Sequence, residues 1–214
     1  LDKELEKRGH NFVRYADDFH IYVSSRKAGY RVMNLITAFI EKKLHLKVNR
    51  EKSAVDRPWR RKFLGFSFTS HREPKVRVDK KSVQRLKKKI RELTSRSKGW
   101  SMDYRIKKLN QYLIGWCGYF ALADTKSIFS SLDKWIRRRM RMCLWKEWKL
   151  PKTRKRKLIS LGVPKWKAHE WSNTRKGYWR IAESPILSKT LNNSYWSRLG
   201  LRSLYQRYIF LRQS

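Results

Sequence analysis

Hydrophobic patterning changes character once along this chain, near Asp79. Before that point, short alternating runs typical of strands flank a single helical stripe. After it, strand signals fade and a 3.6-residue period holds to about residue 150. The change predicts an α+β protein with a small antiparallel sheet and one helix first, and an all-α bundle second. Leu1 to Arg8 reads as the end of a helix that Gly9 closes. Asn11 to Ser24 reads as a hairpin, and a helix follows over Ala28–Leu44. In that helix Met33, Ile36, Ile40 and Leu44 form the stripe, and Val32, Leu35 and Phe39 widen it. Lys47–Val55 suggests strand–turn–strand. Lys62–Phe68 suggests another strand, in which Gly65 marks a bulge or a close backbone approach. His71–Val78 is its candidate return.

Three amphipathic helices come next. Val83, Leu86, Ile90 and Leu93 mark the first, and Ile106, Leu109, Leu113, Trp116 and Phe120 the second. Ile128, Leu132, Trp135, Arg139 and Met142 mark the third. Short connections make them a bundle. Pro151 is expected to end the third helix. Lys152–Lys157 then reads as a basic linker, and short helices are expected over Leu158–Leu161, Leu187–Asn192 and Leu201–Arg212. Three segments result: 1–78, 79–150 and 151–214.

The most reactive stretch is Tyr15-Ala16-Asp17-Asp18, which joins Asn11–Ala16 to Phe19–Ser24. A tight turn lifts both carboxylates to the sheet edge, where they repel one another unless a cation neutralises them. Mg²⁺ takes such oxygen ligands, commonly one or two carboxylates together with substrate phosphates. The plain alternative is a solvated turn, since Asp is a common turn residue.

Charge decides the partner class. The 214 residues hold 54 Lys+Arg against 17 Asp+Glu, a formal net charge of +37. Ten Trp, ten Tyr and nine Phe are interleaved with it. Basic groups neutralise phosphates and aromatic faces stack on bases, so the expected partner is nucleic acid. No run of 18 apolar residues exists, which argues against a membrane-spanning helix. Cys117 and Cys143 are isolated, and the five His are scattered, which disfavours zinc modules. From Lys134 to Lys157 the only acid is Glu147, so the run reads as a phosphate-backbone surface rather than a solvated face. Its candidate contacts are Arg137, Arg138, Arg141, Lys155 and Arg156. Arg175, Lys176, Tyr178, Trp179 and Arg180 form a second candidate cluster, combining donors, a flexible Gly177 and two stacking faces.

These motifs line up with one family. The Tyr-Ala-Asp-Asp hairpin resembles the palm signature of reverse transcriptases. Leu44-His45-Leu46-Lys47-Val48-Asn49-Arg50-Glu51-Lys52-Ser53 resembles the Leu-x-Leu-x-x-Asn-x-x-Lys-[ST] block that follows it, and Phe63-Leu64-Gly65-Phe66 resembles the primer-grip block. Tyr112–Phe120, Leu132–Arg139, Trp145–Lys149, Ser172–Arg180 and Gly200–Leu204 resemble the maturase region of group II intron-encoded proteins.

The resemblance implies a partial palm over 1–78, a thumb or maturase (X) domain over 79–150, and a basic DNA-binding region over 151–214. It implies RNA-directed DNA polymerase activity joined to intron-RNA binding for splicing. Asp17 and Asp18 would hold catalytic Mg²⁺ in a two-metal site. Lys52 would lie near the triphosphate as a candidate general acid. Tyr15 would pack near the incoming nucleotide, and Phe63, Leu64 and Gly65 would position the primer end. The implied partners are group II intron RNA, template RNA, DNA primer or target DNA, and dNTPs, with a homodimer left open. The implied location is the bacterial cytoplasm or nucleoid.

Two departures from the family pattern are visible. Palms complete their metal site with an Asp from an earlier strand, and this sequence offers no candidate for it. The chain therefore reads as an N-terminally truncated fragment that does not polymerise alone, an expectation that real Mg²⁺-dependent primer extension by the 214 residues would refute. The Cys-rich nuclease found in many relatives is also not seen. The alternatives are a splicing cofactor without polymerase activity and a reverse transcriptase of another lineage, such as a retron or CRISPR-associated enzyme.

Overall fold

The computed structural model describes residues 1–213. The chain divides into two compact units, 1–79 and 80–214. The first mixes strands and helices and the second is helical throughout, in keeping with an α+β protein.

In the first unit, α1 (Asp2–Lys7) precedes the antiparallel pair β1 (Asn11–Tyr15) and β2 (Asp18–Tyr22). Their register pairs Asn11 with Tyr22 and Tyr15 with Asp18, leaving a two-residue turn at Ala16-Asp17. Next comes α2 (Arg26–Lys43), capped by the Ser25 hydroxyl, which accepts from the Ala28 amide at 3.1 Å. The buried stripe of α2 is Val32, Ile36 and Ile40, closed by Leu5 of α1 and flanked by Phe12, Phe19 and Ile21 of the hairpin. The stripe thus covers the hairpin as expected, but rotated. Leu35 and Leu44 are exposed, because the hairpin is narrow and covers only one side of the helix.

Lys47–Val55 forms no strand. It is an irregular segment turned by Asn49, whose Oδ1 accepts from the Lys52 amide at 3.2 Å, and whose carbonyl accepts from the Ser53 hydroxyl at 2.9 Å. Asn satisfies its own turn in this way, and that removes the pull toward a ladder. The expected strand over Lys62–Phe68 is likewise broken. Phe63 and Phe66 exchange amide–carbonyl bonds of 2.9 Å in both directions. Leu64 and Gly65 between them sit at φ +51° and +82°, so Gly65 serves a tight turn rather than a bulge. Only β3 (Phe66–Phe68) and β4 (Val76–Val78) then pair, as a second two-stranded sheet.

In the second unit, α3 (Lys80–Leu93), α4 (Met102–Phe120) and α5 (Lys126–Glu147) are the expected bundle helices. Leu86, Ile90, Leu109, Leu113, Phe129, Leu132, Ile136 and Met140 make the core. Pro151 does not merely end the third helix. It occupies the first turn of α6 (Pro151–Ser160), where its missing amide costs nothing, and the basic linker is helical. The remainder comprises α7 (Lys165–Ser172), α8 (Tyr178–Ile181), α9 (Pro185–Thr190), α10 (Asn193–Arg198) and α11 (Leu204–Gln213). Of these, α11 packs on α4 and α5, and α8 packs on α5.

Two long-range anchors close this unit. Asp133 of α5 accepts from the Leu204 amide at 2.9 Å, the Tyr205 amide at 3.0 Å and the Ser203 hydroxyl, so one helix interior caps another helix. Asn110 of α4 spans Gly200 and Arg202, donating to the first at 2.7 Å and accepting from the second at 2.9 Å. The two cysteines are buried. Cys117 is pushed up to about 11 by burial, and Cys143 is raised by the same cause.

Candidate nucleic-acid interface and acidic hairpin

The acidic hairpin is held by one arginine. Arg14 of β1 donates from Nε and Nη2 to the Asp2 carboxylate at 2.6 and 2.7 Å, and from Nη1 to the Ala16 carbonyl at 2.7 Å. Ala16 sits at φ +54°, so the strap fixes a turn that an L residue adopts reluctantly. Its hydrogen bonds hold the Asp2 carboxyl below the usual carboxylate range. Asp17 and Asp18 are exposed and make no ion pair among the described residues, and Tyr15 beside them is exposed too.

The structure brings the primer-grip-like turn to this hairpin. The Phe63 ring lies 5.0 Å from that of His20 on β2. His20 is pulled below its ordinary value, first by burial and then by the Arg61 charge. Arg61 also donates to the Lys52 carbonyl at 2.7 Å, which ties the Asn49 turn to the same neighbourhood. Lys52 itself is exposed and bonds to neither Asp17 nor Asp18, and Leu64 is exposed at the turn tip. Arg14, His20 and Arg61 were not legible as site residues, because their roles arise only when separate segments meet.

The donor set at the turn suits Mg²⁺ as one face of a site. Two hard oxygen donors stand free of any cation, as a metal bound mainly through carboxylate and phosphate oxygens requires. Among the described residues no cluster of three or more His, Cys, Asp or Glu side chains is placed to hold a metal.

The second unit carries a band of cations laid on aromatic rings. Lys87, Arg91 and Arg139 approach the Trp135 ring at 5.8, 5.6 and 5.9 Å. Arg138 lies 3.9 Å from the Trp179 centroid, with Arg139 at 5.9 Å. Tyr178 takes Arg96 at 4.7 Å and Lys146 at 5.4 Å. Such contacts are attractive because the ring face carries the negative lobe of its quadrupole. The rings that the sequence offers as stacking faces therefore already carry cations, whose charged heads they hold in place.

Several of these arginines are also structural. Arg138 pairs with Glu183 at 2.6 Å and donates to the Trp179 carbonyl at 3.1 Å. Arg141 is buried, donates to the Ala182 carbonyl at 2.6 Å, and is brought down to about 10 by burial and by its neighbours Arg137 and Arg138. It remains charged at neutral pH. Arg105 and Arg139, neither singled out for this role by sequence, satisfy the carbonyls at the end of α3: Arg105 those of Leu93 and Ser95, Arg139 those of Arg91 and Thr94. Trp145 and Trp148 are core residues. Arg156 of α6 is exposed and Lys155 half-buried, while Arg175 and Lys176 are exposed just before α8 and Arg180 is exposed within it, Lys176 lying 5.0 Å from the Trp171 ring. Arg137 is half-buried on another side of α5.

The second unit is thus a basic helical bundle in which some arginines fix its own helix ends and others stand on aromatic rings. Residues 83–161, from α3 to the end of α6, match the family described as Group II intron, maturase-specific domain. The match covers well under half of the chain. No curated protein matches the chain. Among the described residues no helix is long and apolar enough to cross a membrane.

Proposed function

We propose that this chain is part of a group II intron maturase of the reverse-transcriptase class. In this reading 80–214 holds intron RNA and template–primer, and 1–79 presents the palm carboxylates. The observation that carries it is the cation-covered band on α3, α5 and α8, lying largely within the segment that matches the maturase-specific domain. Lys87 and Arg91 present charge to a phosphate backbone, which neutralises it and releases counterions, while Arg139 holds the end of α3 beneath them. Arg141 is left out of this contact set, because its guanidinium is buried.

Asp17 and Asp18 are the proposed Mg²⁺ ligands. The metal, when bound, would stabilise the charge that develops as a nucleotide is transferred from a dNTP to a DNA primer end. Arg14 keeps the turn presented, Tyr15 offers an exposed ring beside the carboxylates, and Phe63 with Leu64 and Gly65 forms a firm turn for the primer end. Lys52 supplies an exposed charge for the triphosphate.

The test separates the two roles. Mn²⁺ added to the chain should broaden amide NMR signals of Phe12–Tyr22, and Asp17→Asn with Asp18→Asn should abolish the effect while leaving intron-RNA binding unchanged. RNA binding without any carboxylate-dependent metal response would favour a splicing cofactor over a polymerase. Loss of RNA binding in the folded double variant would sink the division of labour between the units.

A further inference from the structure

A cleft in the second unit lies away from the aromatic band. It has a volume of about 380 Å³ and is bounded by α5, α10 and the segment that enters α11. Arg137, Arg198 and Arg202 line it, together with Ser194, Ser197 and Gln206. None of the three arginine side chains forms an ion pair or hydrogen bond among the described residues. The one acid at the cleft is Asp133, and it is fully engaged: its two oxygens accept from Ser203, Leu204 and Tyr205. It also consumes the amides at the start of α11, so they are not available to a ligand. What remains is three guanidinium groups and several neutral donors, with no free acid to balance them. Like charges converging in a concave site repel one another and focus the local potential, and an anion relieves both effects.

The position of the cleft matters as much as its charge. Successive residues of an α-helix are about 100° apart. Arg137 is therefore about 200° around α5 from Trp135, while Arg139 is only about 40° from it. Asp133 and Arg137, four residues apart, share the cleft face. The cleft and the band occupy opposite sides of one helix.

We propose that this cleft is a second phosphate-binding site, which takes the phosphodiester backbone of a nucleic-acid segment other than the one held on the Trp135–Trp179 band. The proposal rests on the nucleic-acid-binding reading above and adds to it where a second segment is held: on the cleft arginines, apart from the aromatic band. Arg137 anchors the floor, and Arg198 and Arg202 close on the phosphate from α10 and from the Gly200 turn, where φ is +83°. Planar guanidinium groups suit paired phosphate oxygens better than lysines would.

The experiment is a salt titration of labelled single-stranded RNA binding to the whole chain. Three variants are compared with the parent: Arg137→Gln/Arg198→Gln/Arg202→Gln in the cleft, Lys87→Gln/Arg91→Gln on the band, and the two combined. Each lost contact removes about 0.7 from the log–log slope on single strands, so the cleft variant should lose about 2. The combined variant should lose the sum of the two. Calorimetry with a hexanucleotide should give two sites on the parent and one on the cleft variant. Arg198→Gln/Arg202→Gln, both exposed, should reproduce about two-thirds of the slope change and guards against misfolding around Arg137. An unchanged slope in the cleft variants, alongside a reduced one in the band variant, overturns the second site and leaves the first standing. A single hexanucleotide site on the parent also overturns it. A parent that binds RNA without salt dependence removes the nucleic-acid reading itself, and this proposal with it.

Discussion

Asp133 shows how one residue can tie the sequence to the fold. It lies inside α5, where an acid among arginines looks like a minor surface charge. Its carboxylate instead replaces the missing partners at the start of α11, about seventy residues away, by accepting from two amides and one hydroxyl. Removing it leaves those donors unsatisfied in a buried setting. Asp133→Ala should therefore cost about 2–3 kcal/mol, the sum of a lost cap and of amides left without a partner. Asp133→Asn keeps one acceptor and should cost about half as much. Urea denaturation at equilibrium checks both, and an alanine variant within about 0.5 kcal/mol of the parent would show that α11 docks without its cap. No periodicity argument reveals such a pairing, because the partners are distant and the signal is a single Asp. The Asp17-Asp18 pair was legible for the opposite reason. Its two residues are adjacent, and the runs around it report their own alternation.

At the level of elements, the long amphipathic segments were readable and the short ones were not. The stripes of α3, α4 and α5 each bury four or more residues at helical spacing, and such a pattern survives any rearrangement of neighbours. By contrast α6 buries only Leu158. Its run of Lys and Arg has good intrinsic helix propensity but no stripe, so it reads as a linker until Pro151 is recognised as an opening residue. Lys47–Val55 has the composition of strands, yet the Asn49 side chain bends it locally. The Phe63–Phe66 turn misled for a related reason. Apolar residues on both sides of Gly65 suggest a continuous strand, whereas Leu64 and Gly65 both adopt positive φ. Gly65→Ala should destabilise this turn by about 1 kcal/mol, the usual cost of a left-handed conformation for an L residue. Leu64→Gly should relieve a similar strain. Hydrogen exchange of the Phe66 amide, which donates to Phe63, reads both changes. Faster exchange in the first variant and unchanged or slower exchange in the second is expected, and equal exchange in all three would mean that the turn carries no strain.

At the scale of the whole chain, positive charge is what the fold leaves most unbalanced. Of the 54 Lys and Arg residues, a small minority is engaged in ion pairs among the described residues, and most of those pairs are exposed. Exposed pairs contribute little, at most about 1 kcal/mol each, and weaken further in salt. The cation–aromatic contacts hold side chains in position without removing any positive charge. The folded chain therefore remains at a formal +37, and compaction brings those charges closer than they stand in the unfolded chain. Screening then predicts the sign of the salt effect. At ~0.05 M salt the screening length is above 10 Å, and at ~0.5 M it falls to about 4 Å, so repulsion between neighbouring helices is largely quenched. The melting temperature should rise by several degrees across that range. A polyanion without base-specific groups, such as inorganic polyphosphate, should raise it further at low salt than chloride does at equal ionic strength, because it binds the folded basic surface directly. Differential scanning calorimetry at fixed pH and protein concentration measures both. A melting temperature that falls with added salt would mean that attractive pairs outweigh the repulsion. In that case the uncompensated surface would not be the force that draws this protein to a polyanion.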